Sequence, residues 1–234
     1  MHAIRIPAPL FDSSLVRRTL HFSALLVLTA LFLIGMARPV HADDLDAAMV
    51  LVAKPDFADP VYSHSVIIVT PMDGGGHIGI IVNRPTKESL ASLFPEHAPS
   101  KQVHDPVYFG GPMLTEVIFA LVHSDASPGE GTLQMTKGLF LAIKETTIDH
   151  VIEKTPNDAH YFVGTVVWQP GELQAEVKHG LWSVMAPDTA VVFDQNPERL
   201  WDHLQAKANA LSVFYAPAAG AGSLPVLAYA QPLR

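Results

Sequence analysis

The chain has 234 residues, of which 15 are basic and 23 acidic, for a net charge of −8, and it contains no cysteine. The missing cysteine excludes disulfides, thiol catalysis, thiolate metal ligands and lipid attachment at a cysteine. The negative charge, with no cluster of lysine or arginine to offset it, argues against nucleic acid as a partner.

Residues 1–42 have the order of an export leader. Arg17 and Arg18 form a basic end, Phe22 to Met36 an apolar run, and Val40-His41-Ala42 a small-x-small cleavage site before Asp43 and Asp44. The apolar run is shorter than the roughly 20 residues a membrane-spanning helix needs. Cleavage after Ala42 is expected, and contact with a membrane only if that leader stays uncleaved. Arg17-Arg18 followed by Thr19-Leu20 also permits twin-arginine export. Cleavage removes Arg5, Arg17, Arg18, Arg38 and Asp12, so the 15 basic and 23 acidic residues become 11 and 22, a net charge of −11. The remaining 192 residues suffice to bury roughly 70% of their unfolded surface in one core.

Ala47 to Val52 reads as a first strand, ended by Lys54-Pro55 because proline cannot donate to a ladder. The densest signal follows. Ser65-Val66-Ile67-Ile68-Val69-Thr70 and His77-Ile78-Gly79-Ile80-Ile81-Val82 flank Asp73-Gly74-Gly75-Gly76. β-Branched residues suit a pleated surface and the glycines supply a reversal, so this stretch predicts a hairpin. Its strands are apolar at consecutive positions, which predicts burial on both faces.

After Pro85, Thr86 is expected to cap a short helix with Leu90, Leu93 and Phe94 on its apolar side. Glu116 to His123 predicts a buried strand, and Thr132 to Lys144 two strand-like pieces. Thr146 or Thr147 caps a helix through Ile148, Val151 and Ile152. His160 to Trp168 is a strand, and Glu172 to Val177 a helix that Gly180 ends. Leu181 to Met185 and Ala190 to Asp194 are late strands. Asn196-Pro197-Glu198 starts a helix carrying Leu200, Trp201, Leu204 and Ala208. Leu211 to Tyr215 is expected to close the sheet. Strands and short helices mix without a regular βαβ alternation, so the class is α+β. The expectation is a leader over 1–42, one compact domain over 43–215 with a mixed or largely antiparallel, barrel-like sheet flanked by short helices, and a loosely held tail over 216–234.

The apolar run before Lys54-Pro55, Ser65-Val66-Ile67-Ile68, Gly79-Ile80-Ile81-Val82-Asn83-Arg84-Pro85, Pro106-Val107-Tyr108-Phe109-Gly110-Gly111-Pro112, Gly164 to Trp168, Pro170 to Glu176 and Leu200-Trp201 resemble the YqgE/AlgH family in order and spacing. The pairing of Asn-Arg-Pro with a later Gly-Gly-Pro is the most specific element. The resemblance runs from about Leu45 to Leu211. It implies a compact domain of mixed sheet and flanking helices, with no catalytic residues to carry over. It also implies a cytoplasmic protein, whereas the leader here points to the periplasm or beyond.

Two readings of the Asn83-Arg84-Pro85 end stand side by side. In one, Asn83 and Arg84 bond to loop carbonyls and form a structural corner, with Gly110-Gly111 allowing close backbone approach. In the other, Asn83, Arg84, Gly110 and Gly111 line a polar pocket in which Arg84 grips a carboxylate or phosphate. Nine histidines lie beyond residue 42, and none forms an HxH or HxxxH pair. The best metal group is His64, His77 and Asp73, which a hairpin would draw together. Ser65 with a histidine and Asp105 lacks a G-x-S-x-G elbow, so Ser65 is read as the start of a strand. The glycine run lacks the Lys-Ser/Thr of a phosphate loop. Trp168, Trp182 and Trp201 are read as core aromatics. The resulting expectation is a non-catalytic exported protein with no cofactor that binds a small anionic ligand or an envelope protein. An enzyme with a pocket near Arg84 is the alternative.

Overall fold

The structure, a computed structural model, describes residues 45–215, and the leader and the tail after Tyr215 lie outside this range. Its ten strands are β1 (Met49–Ala53), β2 (Val66–Pro71), β3 (His77–Ile81), β4 (Pro85–Ser89), β5 (Pro106–Phe109), β6 (Met113–His123), β7 (Thr132–Thr136), β8 (Leu139–Ala142), β9 (Ala159–Trp168) and β10 (Trp182–Met185). The helices are α1 (Leu90–Leu93), α2 (Glu145–Lys154), α3 (Glu172–Lys178) and α4 (Pro197–Tyr215). The strand order is β10-β1-β2-β3-β9-β6-β8-β7, with the β4–β5 pair attached to β9. Every pairing is antiparallel except β5 with β9, where Tyr108 lies opposite Phe162. The sheet is largely antiparallel, and β7 comes into contact with β2 across the curl. The result is an α+β half-barrel rather than a flat sheet.

The hairpin forms where the β-branched runs place it. Ile67 pairs with Ile81 and Pro71 with His77, and Met72 N–H donates to Gly76 O at 2.8 Å. Gly74 and Gly75 take φ of 89° and 84°, a conformation that costs other residues about 1 kcal/mol or more. β3 is buried along its whole length, and β2 up to Thr70. Successive side chains feed opposite cores. Val66, Ile68 and Ile80 pack with Phe119, Leu121, Phe162 and Leu200. Ile67, Val69 and Ile81 pack with Leu51, Trp168 and Trp182. A third cluster under α2 joins Leu90, Ala120, Ile148, Val151, Ile152 and Tyr161.

Four expectations need correction. Thr86 caps no helix, because Pro85–Ser89 is drawn into a strand against β5 and the Thr86 hydroxyl donates to Val107 O. The helix begins instead at Ser89, whose Oγ accepts from Ser92 N–H, and it lasts only four residues. Ala190 to Asp194 is not a strand. Asp188 Oδ1 accepts from Ala190 N–H at 2.9 Å and starts a 3-10 turn over Thr189–Val191. Leu211 to Tyr215 is the last part of α4 and adds no strand. The α2 cap also shifts by a few residues, to Lys144, leaving Thr146 and Thr147 inside the helix.

Candidate functional site

The exit of the hairpin turns at Asn83 and Arg84, held by paired backbone groups on every side. Val82 N–H donates to Val66 O at 2.9 Å, Ile81 N–H to Gly110 O at 2.8 Å, Phe109 N–H to Arg84 O at 2.9 Å and Gly110 N–H to Val163 O at 2.8 Å. The buried Asn83 amide bridges the mouth of the hairpin. Its Oδ1 accepts from Val66 N–H at 2.8 Å, and its Nδ2 donates to His64 O at 2.9 Å. Arg84 Nη2 donates to Ser63 O at 2.9 Å. Burial lowers the Arg84 pKa from its ordinary value, with Asp59 opposing that shift. His64, at φ 59°, lays its ring edge-on to Trp201 at 4.2 Å between centroids.

Gly110 and Gly111 sit against the backbone of Gly164 and Thr165, so close that a Cβ on either would overlap main-chain atoms. The structure therefore brings Asn83, Arg84, Gly110 and Gly111 to one backbone junction. The Asn83 side chain is engaged with main chain there. The half-buried Arg84 makes its one side-chain hydrogen bond to a carbonyl and, among the described residues, no ion pair with a carboxylate.

The metal group is not assembled. His77 sits beside the turn and His64 lies beyond the far end of β2, about 20 Å away for a six-residue strand. A hairpin joins the strand ends at its turn, and His64 is at the other end. His77 instead bonds through Nε2 to Leu45 O at 2.8 Å. Among the described residues no group of three or more His, Cys, Asp or Glu could hold a metal. Ser65 is fully buried with its hydroxyl donating to Tyr62 O at 2.7 Å, which suits a strand start and not a nucleophile. Trp168 and Trp182 are core residues, their indole N–H groups both donating to Glu176 Oε2, at 3.0 and 2.8 Å.

Sequence reasoning missed a groove of about 490 Å³ between α1, α2 and the first half of β6. Leu90, Ile118, Ile148 and Ile152 form its floor. Phe94 and Ile143, 42% and 37% exposed, stand at its lips. Glu116, Glu145 and Asp149 are its charged lining residues, with His97 beside Phe94. Two local features make it. α1 is too short to bury Phe94, and β6 extends past the end of β8: Ala120 to His123 pair with β8, whereas Met113 to Phe119 do not. The signal available in the sequence was the acid spacing Glu145, Asp149 beside Ile148, Ile152, two parallel rows on one helix.

The AlgH-like family description matches residues 50–210. A UPF0301 protein of Methylococcus capsulatus is 29% identical over 168 residues, covering 69% of this chain and 90% of that protein. One of Burkholderia mallei is 30% identical over 158 residues, covering 65% and 82%. The solution structure of the AlgH protein from Pseudomonas aeruginosa matches with a TM-score of 0.57 at 27% identity, over 80% of this chain and 99% of that one. A crystal structure of a Corynebacterium diphtheriae protein, with a TM-score of 0.59, 20% identity and coverage of 74% and 90%, shares the fold. With the match spanning more than half of the sequence, this chain belongs to the AlgH-like family.

Proposed function

We propose that this AlgH-like chain is an exported, non-catalytic binding protein whose partner is another protein of the cell envelope, docked in the groove between α1, α2 and β6. The observation that carries this reading is the pair of apolar lips, Phe94 and Ile143, standing exposed over an apolar floor. Soluble proteins tend to place contiguous apolar surface of this kind at interaction sites. The leader over residues 1–42 supports the periplasmic or secreted location. The experiment is a photo-activated crosslinking side chain introduced in producing cells at Ile143 and, as a control, at exposed Lys178 on α3. A discrete adduct from Ile143 alone is the expected result, and equal labelling from both positions removes the reading. Amino-terminal sequencing of the protein from the periplasmic fraction tests export, with Asp43 expected as the first residue.

A second reading rests on Arg84, a half-buried guanidinium whose recorded hydrogen bond goes to a neutral carbonyl. Such a group suits a small anion. Phosphate or a dicarboxylate then raises the melting temperature of the wild type, and of Arg84→Lys less, and leaves Arg84→Ala unmoved. An equal rise in all three rejects Arg84 as the anchor.

A further inference from the structure

We infer that the groove takes a cationic apolar segment: a short stretch of a partner protein in which hydrophobic side chains are flanked by lysine or arginine. This rests on the docking reading above and adds the chemistry of what docks. Glu116, Glu145 and Asp149 line the groove, and no lysine or arginine does. The basic residue adjoining Glu145 in sequence, Lys144, is held by Glu130 at 2.5 Å. An apolar partner settling on Phe94 and Ile143 strips water from the rim carboxylates, and stripping a carboxylate that gains no partner is costly. A basic side chain on the incoming segment removes that cost, so charge selects among apolar partners.

The geometry sets a spacing. On α2, Glu145 and Asp149 form one row and Ile148 and Ile152 the row beside it. Positions four apart on a helix are about 6 Å apart along its axis. A complementary segment therefore carries basic groups about 6 Å apart next to an apolar row, which an α-helix provides at i, i+4 and a strand at i, i+2. The volume of about 490 Å³ lies in the range of pockets that enclose a few side chains. Two other occupants fit less well. A second copy would bring a net charge of −8, or −11 once residues 1–42 are removed, and its own acids to an acidic rim, and an anionic bilayer would be repelled by it.

The test uses fluorescent peptides with one leucine–phenylalanine framework and lysine, glutamine or glutamate at the flanking positions, titrated against the chain as purified. The lysine peptide should bind about tenfold tighter than the glutamine peptide at low salt, as two or three partly desolvated charge pairs imply. That preference should fade at high salt. Combining Glu116→Gln, Glu145→Gln and Asp149→Asn should remove the preference while leaving the melting temperature in place. Equal binding of the lysine and glutamine peptides sinks the cationic inference and leaves docking intact. Unchanged binding of the lysine peptide to the Phe94→Ser, Ile143→Ser double variant, which removes the apolar lips without adding charge, puts the contact elsewhere and overturns the proposal. If no peptide binds, the inference falls, and the Ile143 crosslink decides whether docking falls with it. A concentration-dependent dimer blocked by the same double variant would assign the groove to a second copy instead.

Discussion

The Asn83 amide reaches across the mouth of the hairpin to Val66, its Oδ1 accepting the Val66 N–H at 2.8 Å. The same amide donates to His64 O, so one side chain does for the open end what the glycines do for the turn. Asn83→Ala leaves a buried donor and an acceptor without partners, at about 1–3 kcal/mol each before relaxation. Denaturant unfolding should show a loss of about 3 kcal/mol. A loss below about 1 kcal/mol would mean that water replaces the amide and that Asn83 is free to serve a ligand.

Gly164 and Gly180 share a positive φ, 75° and 77°, in different surroundings. A Cβ at Gly164 would run into the carbonyl of Gly111, whereas one at Gly180 would meet nothing within 4 Å. Gly180→Ala should therefore cost only the left-handed conformation, about 1 kcal/mol. Gly164→Ala adds a backbone collision and should cost about 3 kcal/mol or more, or prevent folding. Equal melting temperatures for the two variants would show that the Gly111–Gly164 crossing can open at no cost.

The hairpin was legible because consecutive Val and Ile residues with a glycine turn admit few other folds. The end of α3 was legible too: Gly180 N–H donates to Val177 O and Leu181 N–H to Glu176 O, the closing bonds its glycine implied. The failure at Thr86 came where pairing partners lie far apart in sequence, and those at Ala190 and Leu211 where a local turn or a continuing helix took a strand-like run. Thr86 has a capping side chain, but Pro85 pairs with Tyr108 and Ser89 with Pro106, and the ladder overrides the local preference. Asn83, Arg84, Gly110 and Gly111 were legible as neighbours, since a strand end and a Gly-Gly corner both call for tight backbone contact. The groove was not legible, because it exists only where α2 packs beside the part of β6 that β8 leaves unpaired.

Glu176 is the one carboxylate between two indoles, Trp168 at 3.0 Å and Trp182 at 2.8 Å. Phe57 and Tyr62 pack against Trp182, at 5.1 and 6.0 Å between centroids. Glu176→Ala strands both donors, and a loss of about 2–4 kcal/mol with a shift in tryptophan emission is expected. Glu176→Gln keeps an acceptor oxygen and should lose less. If alanine and glutamine are equally mild, the indoles find water and the clamp contributes little.

His160 makes stability depend on pH in a direction that can be worked out. It is buried, stacked on Tyr108 at 5.1 Å and 3.3 Å from Asp105. Burial lowers its pKa below the ordinary histidine value, and Asp105 opposes that shift without reversing it. The unfolded chain then takes up a proton at a higher pH than the folded one. Below about pH 6.5 the unfolded state binds more protons, so stability falls as pH drops toward the lowered folded value and is flat above 6.5 on this account. The slope in that window is at most about 1.4 kcal/mol per pH unit. Melting curves from pH 8 down to pH 5 should show this decline in the wild type, and His160→Gln should flatten it whatever the variant does to stability at pH 8. A decline of the same size in His160→Gln would assign the pH dependence to other groups.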